Sequence, residues 1–294
     1  QAFGIDFTGG DEVTVGYDLR LTYEQVQEVA GNASYTSEDG STTSFGEVNI
    51  FFQTPLGAEE EVMIVQTEPD KGDQFFEALA AAYPNAGLQE LGKTQIGSAV
   101  GSEVTRSAII SIIVALLGIM LYIAFRFEFG YGLGAVVATT HDILMTIGVY
   151  VTLGEIFHVG SGQFSAPMIA AILMTVGYSI NDTIVAFDRI REELELNPGM
   201  NLRKVVHLSI NRVLNRTVLT SLTTLFASLT LFVFGAGVIK DFALVFLLGI
   251  ITGTFSSIFI ASPVFFWYHK GDRKSVEKGE ILPSYDWTSD KSAS

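Results

Sequence analysis

The stretch from Phe242 to Tyr268, FALVFLLGIITGTFSSIFIASPVFFWY, runs for 27 residues without a charged side chain. A helix needs about 20 apolar residues to cross the ~30 Å hydrocarbon core of a bilayer. Two more uncharged runs approach or exceed that length, one of 19 residues from Ser107 to Phe125 and one of 23 from Thr217 to Ile239. These three runs predict membrane-spanning helices and decide the fold class.

Two further segments qualify once one buried polar pair is allowed in each. The segment 129–154 is interrupted only by a His-Asp pair, and the segment 164–187 only by an Asn-Asp pair. A large soluble helical protein is the alternative, but its buried helices are shorter and carry charge along one face. The sequence therefore predicts a polytopic α-helical membrane protein with five transmembrane helices, near 107–126, 130–153, 164–187, 217–238 and 242–268. The bundle spans 101–270, with a cytoplasmic loop at 188–216 and a cytoplasmic tail at 271–294.

Charge is distributed unevenly along the 294 residues. Residues 1–100 carry 17 acidic and 3 basic side chains, whereas residues 101–294 carry 15 acidic and 14 basic ones. Lys and Arg concentrate in 188–216 and in the tail, which predicts that this side faces the cytoplasm and that 1–100 is extracytoplasmic. A net charge of −15 argues against nucleic acid as a partner, and the lack of cysteine excludes disulfides and thiol chemistry.

Residues 1–100 have the patterns of a small α/β domain. Thr22 and Gln25 form a capping box that begins a short helix ending near Ala30, and 37–44 is polar and typical of a loop. Predicted strands at 13–17, 48–52, 61–65 and 88–96 and a second helix at 70–83 complete the order β-α-β-β-α-β. This order predicts a ferredoxin-like domain. It holds no catalytic constellation, so it is expected to bind a partner or act as a lever, and no catalytic residue, metal or cofactor is assigned.

Two acids lie inside predicted membrane helices, where a charge costs at least ~2.5–3.5 kcal/mol. Asp142 lies about 12 residues into its helix, roughly 18 Å at 1.5 Å per residue, and Asp182 roughly 9 Å inside the cytoplasmic end. His141 points about 100° away from Asp142 around the helix and need not be its partner. Either the acids bind and release protons as the helices move, or they are hydrogen-bonded packing groups. Asn181 and His141 adjoin them and would support a proton path.

Arg216 begins the fourth predicted membrane helix at its cytoplasmic end. It either marks the cytoplasmic side and snorkels to the headgroups, or it pairs with Asp182. Hydroxyl side chains line one face of this helix and indicate either helix packing or a hydrated proton path: Thr217, Ser221, Thr224 and Ser228. Close helix contacts are predicted at two GxxxG pairs: Gly130 with Gly134, and Gly249 with Gly253. An apolar stripe from Leu202 to Leu214 among basic residues predicts an amphipathic helix on the membrane surface.

Taken together, the chain resembles the SecF family, the smaller subunit of the bacterial SecDF protein-export complex in the RND superfamily. The segments that carry this resemblance follow in order along nearly the whole chain: FGIDFTGG (3–10), YIAFRF (122–127), HD (141–142), GYSINDTIVAFDRIRE (177–192), RTVLTSLTT (216–224) and the stretch 249–263. SecF has six membrane helices, so the resemblance implies a first helix that precedes this chain. A SecF chain cut at its start and the second half of a fused SecDF chain fit equally well.

The resemblance implies a proton-driven accessory role beside the SecYEG channel, with no cofactor beyond the proton gradient. Asp182 matches the family's proton-path aspartate, Arg216 its basic partner, and Asp142 the His-Asp acid. The implied partners are SecD, SecYEG, the translocating preprotein and the lipid bilayer, with SecA and YajC as further ones. The coupling ion stays open between proton and sodium, because carboxylates serve both.

Three other functions compete with this interpretation. Another proton-driven RND transporter, moving lipid or a small molecule, would not purify with SecD and SecYEG. An intramembrane aspartyl protease would use Asp142 and Asp182 as a dyad, but the GxGD pattern of that class is absent and the sequence ending at Asp182 is SIND. A purely structural subunit would tolerate Asp182→Asn.

Overall fold

The computed structural model describes residues 4–36, 42–46, 48–54, 60–157, 163–235 and 238–277. Residues up to 96 form the outer domain, and residues 98–277 form the helical part. The outer domain contains α1 (Ile5–Thr8), β1 (Gly10–Gly16), α2 (Tyr23–Asn32), β2 (Ser34–Thr36), β3 (Thr42–Ser44), β4 (Asn49–Gln53), β5 (Val62–Thr67), α3 (Gly72–Ala82) and β6 (Gln89–Ile96).

The main sheet has the strand order β4-β5-β1-β6, and every neighbouring pair is antiparallel. With α2 and α3 as the two crossovers, this is the predicted ferredoxin-like arrangement. The alternating residues Val13 and Val15 of β1 are buried, as are Phe75 and Leu79 on one face of α3. The predicted capping box is present, since Thr22 Oγ1 accepts from the Gln25 backbone at 3.3 Å and the Gln25 side chain accepts in return at 2.8 Å.

Two features of the outer domain differ from the sequence prediction. The segment 37–44 was predicted as a loop, but residues 42–44 form β3, which pairs with β2; residues 37–41 lie outside the described residues. The four-residue helix α1 was not predicted, because so short an element has no periodicity to read. Its contacts, described below, are made with helices much later in the chain.

The helical part contains α4 (Ser98–Arg126), α5 (Phe129–Phe157), α6 (Ala166–Leu196), α7 (Leu202–Phe234), α8 (Val238–Ser256), α9 (Ser262–Tyr268) and α10 (Arg273–Glu277). A π-helical turn, Ser257–Ala261, joins α8 to α9, so that 238–268 is one continuous rod. Five segments of the described chain are long and apolar enough to span a membrane, as predicted. Most run beyond the predicted ends, because charged residues continue the helices past the apolar stretch. The tail is described only as far as residue 277.

The segment 188–216 corrects one prediction. It is not a loop with a separate helix on the membrane surface: α6 continues to Leu196, and α7 begins at Leu202 after a turn of five residues. The apolar stripe does not face lipid. Leu202 and Val205 are fully buried and pack in one cluster with Ile190 and Leu194 of α6. The two helices therefore cover the stripe themselves, and an amphipathic pattern does not distinguish a helix partner from a bilayer.

The rod 238–268 is the central element of the bundle, because α8 packs against α5, α6 and α7. Its π turn precedes Pro263. Proline has no backbone N–H and crowds the preceding turn of a helix, so a regular helix is disfavoured there. The irregular turn lets the rod continue through Pro263 to Tyr268.

Candidate functional site

Asp142 lies at the centre of the bundle, on α5, and its side chain is fully buried. Its Oδ2 accepts two hydrogen bonds, from Ser179 Oγ of α6 at 2.6 Å and from Ser256 Oγ of α8 at 2.7 Å. The carboxyl group thus connects three helices. Neither serine was predicted, since serine is common in membrane helices and 114 residues separate Asp142 from Ser256 along the chain.

His141 contacts Asp142, a partnership that the sequence had left open. His141 Nδ1 lies 3.2 Å from Asp142 Oδ1, although successive helix positions diverge by about 100°. Rotation about the side-chain torsions turns the imidazole toward the neighbouring carboxyl group. Its side chain stays 30% exposed, so it connects a buried carboxyl group to the outside of the bundle.

The two serines reach the same carboxyl group because α6 and α8 approach each other closely. A Cβ at Gly253 would lie 2.9 Å from the Cβ of Ser179, and one at Gly249 would overlap the side chain of Thr175. Only glycine fits at these two positions. The Gly249 and Gly253 pair therefore sets the distance between α6 and α8.

Replacing Gly253 with Val is expected to force these helices apart and to lower stability by about 1–3 kcal/mol, the usual effect of overpacking. The measurement is the thermal unfolding of the purified complex in detergent. Gly118→Val is the matched control, because a Cβ at Gly118 of α4 meets nothing within 4 Å. Equal unfolding temperatures for the two variants would contradict the close contact.

Asp182 lies on α6, one helical turn after Ser179, and is 6% exposed. Its Oδ2 is buried and has no hydrogen-bond partner among the described residues. Arg216 of α7 is exposed and close enough to attract this carboxyl group, but the two form no direct ion pair in the described part of the chain; Ser221 of α7 lies within hydrogen-bonding reach of the carboxyl group. Ser221 in turn accepts a hydrogen bond from Thr254 of α8 at 2.7 Å. The site is a buried acid, a cation on the next helix and a short chain of hydroxyl groups.

The remaining predicted polar residues are placed as follows. Thr217 and Ser221 are buried, Thr224 donates to the Tyr178 hydroxyl at 3.2 Å, and Ser228 donates to the Ala243 carbonyl at 2.9 Å. Asn181 is exposed on the surface of the described chain. The hydroxyl face of α7 thus contributes to the contacts of Asp182 at one end and to helix packing at the other.

Gly130 and Gly134 lie in the N-terminal half of α5. A Cβ at Gly134 would lie 2.7 Å from the Ala261 carbonyl oxygen, and one at Gly130 would lie 2.9 Å from the ring of Tyr268. Both glycines therefore face the rod 238–268. They bring α5 against the π turn and α9, as Gly249 and Gly253 bring α8 against α6.

Three buried aromatic rings close the bundle below the two acids. Tyr131 of α5 stacks on Phe265 of α9 with ring centroids 4.2 Å apart and meets Phe187 of α6 edge-on at 5.1 Å. Phe187 follows Asp182 by five residues, or about 7.5 Å along α6 toward its C-terminal end. We call Tyr131, Phe187 and Phe265 the aromatic layer; it lies between the acids and that end of α6.

A polar cluster near the turn between α6 and α7, which the sequence did not predict, holds these two helices together. The fully buried Glu193 binds the guanidinium groups of Arg189 and Arg212. Arg273 donates to the Leu194 and Asn197 carbonyls, each at 2.5 Å, and so caps the last turn of α6. These contacts join α6, α7 and the segment after α9 on either side of the turn 197–201.

An outer ferredoxin-like domain, five membrane segments and two buried acids with partners on neighbouring helices define a polytopic membrane protein with a polar centre inside its bundle. The model of the family "Protein export membrane protein SecD/SecF, C-terminal" matches residues 77–271. The chain belongs to the SecD/SecF family of protein-export membrane proteins.

Similar proteins support this membership. The protein translocase subunit SecF of Thermodesulfovibrio yellowstonii is 37% identical over 269 residues, which cover 89% of this chain and 81% of that one. The SecF of Cereibacter sphaeroides is 36% identical over 297 residues, with 97% and 86% covered. The SecDF of Thermus thermophilus is 36% identical over 276 residues, but these are only 35% of its length.

Solved structures agree with the fold. The crystal structure of SecDF from Thermus thermophilus superposes with a TM-score of 0.74 at 33% identity and covers 92% of this chain and 34% of that one. SecDF in its super-membrane-facing form gives a TM-score of 0.62 at 34% identity, covering 94% and 35%. The chain thus spans about a third of the length of the SecDF chains that it matches.

Proposed function

We propose that the chain is an accessory subunit of the Sec translocon that couples proton movement to late-stage preprotein export across the bacterial inner membrane. Asp182 carries this proposal: one oxygen of its buried carboxyl group has no hydrogen-bond partner among the described residues, and the charge of Arg216 attracts the ionised group. Family membership and relatives named as protein translocase subunits support the Sec assignment.

Protonation of Asp182 changes the force between α6 and α7. An ionised Asp182 attracts Arg216 of the neighbouring helix, and a bound proton removes this attraction. Arg216 is then free to move away from α6, and release of the proton draws it back. One proton thus switches α6 and α7 between two arrangements.

The proton path in this proposal uses hydroxyl and carboxyl groups inside the bundle. Thr254 and Ser221 lead to Asp182, and the partly exposed His141 leads to Asp142. In this proposal the aromatic layer closes the cytoplasmic end, and protons reach the acids from the other side. Its opening would let them leave toward the cytoplasm.

The proposed partners are SecD, the SecYEG channel and the translocating preprotein, with SecA supplying the ATP-driven step and YajC as a further associate. Residues 1–100 lie outside the cytoplasm in this arrangement, and the C-terminus lies inside. The outer domain is then on the side where a preprotein emerges from the channel, and it acts there as a lever rather than as an enzyme.

Export into membrane vesicles tests the proposal. Vesicles with SecYEG, SecA and ATP are compared with and without the complete complex of this chain and SecD, each with and without an imposed proton gradient. We expect the gradient to stimulate export only where the complex is present. Equal stimulation in both vesicles would refute proton coupling through the complex. Failure to co-isolate with SecD and SecYEG would instead favour an RND transporter of lipid or a small molecule.

A further inference from the structure

The segment 4–9, which contains α1, links the outer domain to the extracytoplasmic end of α6. Asp6 Oδ2 accepts a hydrogen bond from the backbone N–H of Ala166, the first residue of α6, at 2.9 Å. The Gly4 N–H donates to the Phe164 carbonyl at 2.9 Å, and the Phe7 ring stacks on that of Phe164 with centroids 5.6 Å apart. A carboxylate from the outer domain therefore caps a membrane helix 160 residues later.

We call the segment 4–9 the joint. Its other side packs against α4. A Cβ at Gly101 would lie 2.7 Å from the Phe7 carbonyl oxygen, so α4 approaches the backbone of the joint directly. Gly9 has φ +74°, and a Cβ there would lie 2.7 Å from the Cα of Ser98. Only glycine adopts that backbone without strain in so little space. The joint is thus enclosed by α4 and α6.

The joint continues without a break into the central strand of the outer sheet. Gly10 is the first residue of β1, which pairs with both β5 and β6. The chain itself connects the sheet to α4, because β6 ends at Ile96 and α4 begins at Ser98. No such short covalent connection leads from the sheet to α6. Among the described residues, the Asp6 side chain and the Gly4 backbone N–H hydrogen-bond the outer domain to backbone groups at the start of α6.

We propose that Asp6 is a positioning residue that fixes the outer domain to α6, so that the two move as one body. The proposal rests on the proposed function. Asp182 follows Ala166 by 16 residues, about 24 Å along an uninterrupted helix. A displacement of α6 caused by proton binding at Asp182 is then carried through the joint to the sheet. The joint stays closed throughout, and movement occurs between α6 and α7.

Two substitutions at Asp6 test whether this residue acts by capping α6. Asp6→Ala removes the acceptor, and we expect the gradient-stimulated part of export, per assembled complex, to fall about fivefold, while the part driven by SecA and ATP is unchanged. Asp6→Asn keeps an oxygen that can accept from Ala166, and asparagine caps helices as well as aspartate does. It should retain most of the stimulation. The control is Glu77→Ala, an exposed acid on α3.

A cysteine pair tests directly whether the joint stays closed. The chain has no native cysteine, and a Cβ at Gly4 would lie 4.0 Å from the Cα of Ser165, within disulfide reach. For Gly4→Cys with Ser165→Cys, we expect a disulfide to form equally well with and without the gradient, and to leave gradient-stimulated export intact. Export that is lost on oxidation and regained with reductant would overturn the proposal, because the joint would then have to open.

These experiments distinguish the joint from proton coupling itself. If the gradient does not stimulate the wild type, the proposed function fails, and the disulfide yields still decide whether the joint stays closed. If Asp182→Asn removes the stimulation but Asp6→Ala matches the wild type, the joint fails alone. Equal losses for Asp6→Ala and Asp6→Asn would also overturn it, because capping would not be the reason.

Discussion

Asp182→Asn is expected to abolish the stimulation of preprotein export by a proton gradient and to leave the SecA- and ATP-driven part unchanged. Asparagine has nearly the same shape as aspartate but cannot ionise. The attraction to Arg216 is then permanently absent, and α6 and α7 stay in one arrangement. The measurement is export into vesicles that carry the full complex, with and without the gradient, normalised to the amount of assembled complex.

The matched control for this variant is Glu195→Gln, an equivalent change near the end of the same helix. Glu195 is 46% exposed and lies 4.0 Å from Arg191, a surface ion pair of little energetic weight. It should respond to the gradient like the wild type. If Asp182→Asn also responds like the wild type, Asp182 is a packing residue, and the proton step lies at Asp142 or outside this chain.

Asp142→Ala is expected to have the largest effect on stability. It removes the acceptor that Ser179 and Ser256 share. Ser256 Oγ still has the Gly253 carbonyl oxygen at 3.2 Å, whereas the buried Ser179 hydroxyl loses its acceptor. An unsatisfied buried group costs about 1–3 kcal/mol, and truncation of the buried carboxyl group adds a cavity, so the complex should unfold at a clearly lower temperature or fail to accumulate. Thermal unfolding of the purified complex in detergent, together with its yield from membranes, measures this.

Asp142→Asn separates the packing role of this residue from a proton-binding role. Its amide oxygen can accept from both serines, and its amide nitrogen can donate to His141, so we expect near-normal stability. Because the amide cannot ionise, gradient-stimulated export should still fall. Normal stimulation in this stable variant would limit Asp142 to holding the three helices together. Low stability would show that the carboxylate itself is needed for the fold.

The membrane segments could be predicted because a bilayer imposes a length and a polarity that few other structures require. Their ends could not, because helices such as α6 continue past the apolar stretch on pairs like Arg189 with Glu193. The buried acids stood out in an apolar environment, whereas Ser179 and Ser256 did not, since their role comes only from the distance that Gly253 permits. A sequence pattern reveals a buried charged residue more readily than the small polar residues that hydrogen-bond to it.

The outer domain shows the same division. Its sheet and two main helices follow from alternation and capping, which are local signals. The short helix α1 does not, because it exists through contacts with α4 and with Phe164 and Ala166 at the start of α6. The motif FGIDFTGG therefore indicates the family, but it does not predict the local structure, because that structure depends on contacts with distant helix ends.

The π turn between α8 and α9 rotates the residues after it around the axis of the rod, relative to those before it. Ser256 contacts Asp142 and Phe265 contacts Tyr131, so both face α5, yet nine residues of regular helix at about 100° each would put them on opposite sides. One residue absorbed in the wider turn brings them to within about 80°. The rod therefore contains one residue more than a regular helix of the same length, and this extra residue places the contacts to the polar centre and to the aromatic layer on one face.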